Sequence, residues 1–158
     1  MKAASLKLIK TELDLLHPEK VKDLCLQLIK FRKENKELLS YLLFDSVDEQ
    51  AYIKDVKLEL DEYFKDINKS NLYLAKKTIR KILRIANKQI KYSDSKQTEV
   101  EILIYFCKEL KKSKVPLQNK TVLGNIYHRQ IIKIEKALAT LHEDLQFDYS
   151  EEISSLLK

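Results

Sequence analysis

Lys77, Arg80, Lys81, Arg84, Lys88 and Lys91 recur at helical steps, and no Asp or Glu lies between residues 71 and 93. At about 100° per residue these six cations share an arc of about 100° on one helix face. Leu72, Ala75, Ile79, Ile82, Leu83, Ala86 and Ile90 fill a separate apolar stripe on the same segment, which predicts an amphipathic helix with that stripe toward a core. With Lys76 added, the segment holds seven cations, against a formal net charge of +6 for the whole chain. The basic character is therefore local.

A cationic helix face of this kind has three uses. It can bind phosphate backbones through counterion release, largely without reading sequence. It can meet an acidic protein partner, or it can serve as a solvated face that keeps the chain soluble. Arginine gives bidentate phosphate contacts, yet four of the six cations are lysine. Tyr73 and Tyr92 bracket the stripe, and no aromatic residue interleaves within it. The preceding segment carries an acidic stripe of Asp48, Asp55, Glu59, Glu62 and Asp66 beside an apolar face of Ala51, Val56, Leu60, Tyr63 and Ile67. The basic arc lies far from its own apolar stripe, so simple neutralisation across a helical hairpin is not expected, although Lys76 and Arg80 have the length to reach round.

The catalytic inventory is thin. The chain has no glycine-rich nucleotide loop, no His-Glu-x-x-His run, no cysteines at zinc spacing and no nucleophile elbow. His128 and His142 are 14 residues apart, about 21 Å along a continuous helix, which is too far to share a metal. All three histidines, His17 included, read as boundary or surface residues. Cys25 shares a helical face with Val21, Leu24 and Leu28, and Cys107 one with Val100, Leu103 and Leu110. Both are expected in the core, where free cysteine behaves as a small hydrophobe. No catalytic, cofactor-binding or metal-binding residue is assigned, and no cofactor is expected.

The elements that must position the basic face follow from composition. In 158 residues there are one glycine, two prolines and 34% charged residues, and Leu, Ile, Lys and Glu dominate. Sheets and sandwiches need turn residues that this chain lacks, so the fold is read as all-α. The length suits a single domain over residues 1–158 with a sizeable core. No apolar run approaches the roughly 20 residues of a membrane span, and two cysteines do not make a secreted disulfide scaffold. A cytoplasmic protein without membrane contact is expected.

Asp48, Asn71, Ser95 and Asn119 each precede an apolar-periodic segment, at steps of 23, 24 and 24 residues. Pro18 and Glu19 suit a first helical turn. Helices are expected at about 3–15, 18–34, 36–45, 48–67, 71–92, 95–113, 119–145 and 149–157. Gly124 falls inside the seventh, where close approach of a neighbouring helix would explain it. The even rhythm fits either stacked helical hairpins in an α-α superhelix or a closed helical bundle. No side-chain pattern recurs from hairpin to hairpin.

The run Lys36-Glu37-Leu38-Leu39-Ser40-Tyr41-Leu42-Leu43-Phe44 and the basic helix after it resemble small all-helical bacterial families of unknown function. Over residues 18–113 the rhythm resembles, more loosely, armadillo/HEAT-type hairpin arrays. That resemblance implies a curved stack of antiparallel helices acting as a binding scaffold. The expected function is non-catalytic macromolecular interaction with a protein partner, an acidic one included, through Lys77, Arg80, Lys81, Arg84, Lys88 and Lys91. The alternative is a nucleic-acid-binding module using the same face. Oligomeric state is left open.

Overall fold

The computed structural model describes residues 2–118 and 120–157. Eight α-helices and one π-helical turn account for the regular structure among the described residues, with no strand: α1 (Leu6–Asp14), α2 (Pro18–Phe31), α3 (Lys33–Ser40), the π-helical turn Tyr41–Asp45, α4 (Glu49–Lys65), α5 (Leu72–Ser93), α6 (Lys96–Lys112), α7 (Val122–Leu138) and α8 (Glu143–Leu157). The fold is all-α. No described helix is long and apolar enough to cross a membrane.

The helix starts follow capping chemistry. Asp48, Asn71 and Ser95 side chains accept from the backbone N–H groups of Ala51, of Tyr73 and Leu74, and of Thr98, satisfying amides that the first turn leaves unpaired. Asn119, the expected start of the seventh helix, lies outside the described residues. The cap of α7 is Thr121, whose Oγ1 accepts from Gly124 N–H at 2.9 Å. The expected helix 119–145 ends early: Ala139 caps α7 and α8 begins at Glu143. The sequence reading therefore merged the last turns of α7 with the start of α8, because no glycine or proline marks that break. With glycine so scarce, α5 ends on Asp94 in the left-handed region at φ 53°, its N–H donating to Ile90 O. A short polar side chain tolerates that conformation better than most.

The chain divides into two compact units, one up to Phe44 and one from Asp45 onward. In the first, α2 packs on α3, and no residue of α1, α2 or α3 is buried. Cys25 is exposed rather than in the core. It lines an open apolar groove between α2 and α3 with Leu28, Ile29, Leu38, Leu39 and Leu42; its face is apolar, but α3 alone is too short to cover it.

The second unit is organised around α6, which packs against α4, α5, α7 and α8. Val100, Ile102, Leu103, Phe106, Cys107 and Leu110 of α6 are wholly buried. Ile53, Val56 and Leu60 of α4, Ala75, Ile79, Ile82 and Ala86 of α5, and Leu123 and Ile134 of α7 complete the core. The predicted core stripe of α5 is thus buried at its centre, with Leu72 exposed at one end. Helix α6 is apolar almost all round its central turns, which is why it takes the middle position.

Gly124 is explained by a loop and not by a neighbouring helix. A Cβ built there would lie 2.1 Å from Gln118 O and 2.8 Å from Leu117 O. The segment between α6 and α7 folds back over the first turn of α7, where Thr121 Oγ1 also donates to Gln118 O at 2.8 Å.

Candidate functional site

All six predicted interaction residues lie on α5. Lys77, Arg80, Lys81, Arg84 and Lys91 are exposed, and Lys88 is half-buried. The stripe borders more than one neighbour. Lys81 Nζ sits over the Tyr63 ring of α4, 4.3 Å from its centroid, and Lys88 Nζ lies 5.9 Å from the Tyr92 centroid. Arg80 and Arg84 instead face α7. Among the described residues, Lys77, Arg80, Lys81, Arg84 and Lys91 make no ion pair. Of the acidic stripe, Glu59 accepts from Gln89 and Glu62 pairs with Lys65.

Because α5 and α7 both pack on α6, a groove of about 580 Å³ runs between them. Its walls are Arg80, Arg84 and Asn87 from α5 and Asn125 and Arg129 from α7, over a floor of Leu83, Val122 and Ile126. Lys133 Nζ reaches Asn87 Oδ1 at 3.2 Å beyond this stretch. Asn87, in the later half of α5, thus meets Lys133 in the later half of α7.

The chain has four arginines, Arg32, Arg80, Arg84 and Arg129; three of them line this one groove. Like Arg80 and Arg84, Arg129 makes no ion pair among the described residues. A second hollow of about 520 Å³ lies on the other side of the arginine ridge, lined by Tyr73, Lys76, Lys77, Thr78 and Lys81, with Arg80 and Arg84 shared. Arg80 and Arg84 therefore present guanidinium groups to both hollows.

Arg129, Asn87, Asn125, Val122 and Ile126 were not singled out in the sequence. Val122, Asn125, Ile126 and Arg129 do follow three- and four-residue steps, which place them on one face. That this face looks onto α5 depends on both helices sharing α6.

Two other clusters join helices to one another. Glu101 accepts hydrogen bonds from Gln50 at 3.2 Å, Lys57 at 3.3 Å and Tyr149 at 2.9 Å, tying α4, α6 and α8 together. Burial alone would raise its carboxyl pKa; the Gln50 and Tyr149 bonds and the Lys57 charge outweigh this and hold it below the ordinary value. Tyr105 donates to Asp61 across α6 and α4. Burial, reinforced by that carboxylate, raises the Tyr105 phenol. His17 and His142 accept from the N–H groups two residues on, at helix starts, and His128 is exposed on α7. No three His, Cys, Asp or Glu side chains gather as a metal set among the described residues.

Comparison of the chain with models of protein families, with curated proteins and with solved structures returns no match.

Proposed function

We propose that this protein is a non-catalytic interaction module that binds nucleic-acid phosphate through the α5–α7 groove. The observation that carries the reading is the convergence of Arg80, Arg84 and Arg129, without carboxylate partners, on one concave surface. Guanidinium forks match phosphate oxygens bidentately and shed their hydration more readily than ammonium groups. The lysine excess of the α5 stripe had weighed against this use. In the groove that weighting reverses, because the two helices contribute arginines there while Lys81 turns to Tyr63. A cytoplasmic location belongs to the same reading, supported by the exposed free thiol of Cys25.

The test is a fluorescence-anisotropy titration of mixed-sequence RNA and DNA at about 50 mM and about 200 mM salt. Three phosphate contacts give a log–log salt slope of about −2 for a single strand. Affinity should therefore fall roughly 20-fold between the two conditions, and Arg84→Glu with Arg129→Glu should remove binding at both. Flat anisotropy at low salt would sink the proposal.

A scaffold for a protein partner is the second reading. It is favoured by Leu6, Leu15, Leu28 and Phe31, which α1 and α2 leave exposed. That role would survive Arg84→Glu with Arg129→Glu.

A further inference from the structure

We infer that the groove takes a single-stranded nucleic acid, its phosphates on Arg80, Arg84 and Arg129 and its unstacked bases on the apolar floor and on Tyr73. The inference rests on the phosphate-binding reading above and specifies its ligand.

Shape is the first argument. A helix that reads duplex DNA is convex and enters a groove of the nucleic acid. Here the arginines line a groove of the protein, between two helices that share α6. A polyanion that reaches all three arginines has to lie in this groove, and an extended single backbone can follow it.

The floor is the second argument. Phosphate needs cations and N–H donors only, yet Leu83, Val122 and Ile126 lie between the cationic walls, and Val122 is 40% exposed. An apolar strip beside cations suits a ligand that alternates charged groups with flat apolar faces. Bases in a duplex keep those faces stacked on each other, whereas a single strand can offer them to the protein. Asn125, exposed on the wall, makes no hydrogen bond through its side chain among the described residues. Its amide can donate to and accept from a base edge.

Tyr73 is the third. The residue is 75% exposed, it lines the second hollow, and that hollow shares Arg80 and Arg84 with the groove. Tyr73 and Arg84 are 11 residues apart, about three turns of α5 and about 16 Å. A strand lying across the arginine ridge has an aromatic platform within a few nucleotides.

The experiment uses the full chain at about 50 mM salt, with a labelled mixed-sequence single strand of about 12 nucleotides, the same strand annealed to its complement, and a mononucleotide as competitor. The single strand should bind at least about tenfold more tightly than the duplex. Tyr73→Ala should weaken it by about 5- to 150-fold, the range for loss of one base–aromatic stack, and Tyr73→Phe should retain it. Tyr73 is exposed enough that neither change threatens the fold. Equal or tighter duplex binding overturns the inference and leaves the phosphate-binding reading standing. So does native affinity in Tyr73→Ala, an equal loss in Tyr73→Phe, or competition by the mononucleotide at the same nucleotide concentration. No binding of any of the three ligands overturns both.

Discussion

Lys133 Nζ donates to Asn87 Oδ1 at 3.2 Å, joining α7 to α5 across their shared groove. Asn87 in turn donates through Nδ2 to Leu83 O at 2.8 Å, so its amide is held in one orientation. The pair marks which turns of the two helices face each other. It is exposed to solvent and carries little energy: an exposed hydrogen bond of this kind contributes about 0.5–1.5 kcal/mol. Lys133→Ala is expected to lower unfolding stability by no more than about 1.5 kcal/mol in urea denaturation. A larger loss would mean that the groove is held open by this contact and not by the packing of α5 and α7 on α6.

Gly124 should tolerate nothing larger. In a helix interior Ala is ordinarily favoured over Gly by about 1 kcal/mol. Here the added Cβ would meet two backbone carbonyls, with Gln118 O at 2.1 Å, and backbone cannot move aside as cheaply as a flexible side chain. Gly124→Ala is expected to destabilise by about 1–3 kcal/mol, the range for overpacking, read as a lower urea midpoint at unchanged slope. A stabilised variant would refute the close approach of the loop to α7.

The two thiols should separate cleanly. Cys25 is exposed and Cys107 is wholly buried, with burial pushing the Cys107 thiol up to about 12. A thiol reagent should titrate one cysteine of the native protein at once and the second only in denaturant. Cys25→Ser should abolish the fast phase. The neutral Cys107 thiol also contributes stability that is intact below its ordinary pKa of about 9.0 and lost as pH rises toward about 12.

Acid stability should depend on Glu101. Its folded pKa lies below the ordinary value of 4.5, so its contribution is present above about pH 4.5. It is lost as pH falls through the folded value. Glu101→Gln keeps the shape and removes the charge. The variant should be less stable at neutral pH, and its urea midpoint should fall less steeply between about pH 5 and pH 3 than that of the native chain. Parallel curves would refute the assignment.

Gln130 offers a gain. It is 4% exposed, Nε2 donates to Ile126 O, and Oε1 has no hydrogen-bond partner among the described residues. A buried acceptor left unpaired costs about 1–3 kcal/mol. Gln130→Met, close in length and apolar, is expected to raise stability by about 1 kcal/mol. A drop in melting temperature would show that the amide oxygen is satisfied.

Local chemistry was legible wherever it is short-range. The caps Asp48, Asn71 and Ser95, the buried centre of the α5 stripe and the burial of Cys107 all follow from side chains acting within a turn or two of themselves. The break between α7 and α8 escaped because no helix breaker marks it. Cys25 escaped because an apolar face shows only that cover is wanted, and not that a neighbour long enough to supply it exists. The six cations of α5 were visible as a face, and the meeting of Arg80 and Arg84 with Arg129 of α7 was not. Three arginines 4 and 45 residues apart become one surface only because α6, apolar nearly all round, draws α5 and α7 onto adjacent sides of itself. The sequence alone determined which face each helix would offer for burial and what charge it would show. Tertiary packing decided which exposed faces look at each other, since that depends on the shared neighbour and not on either helix.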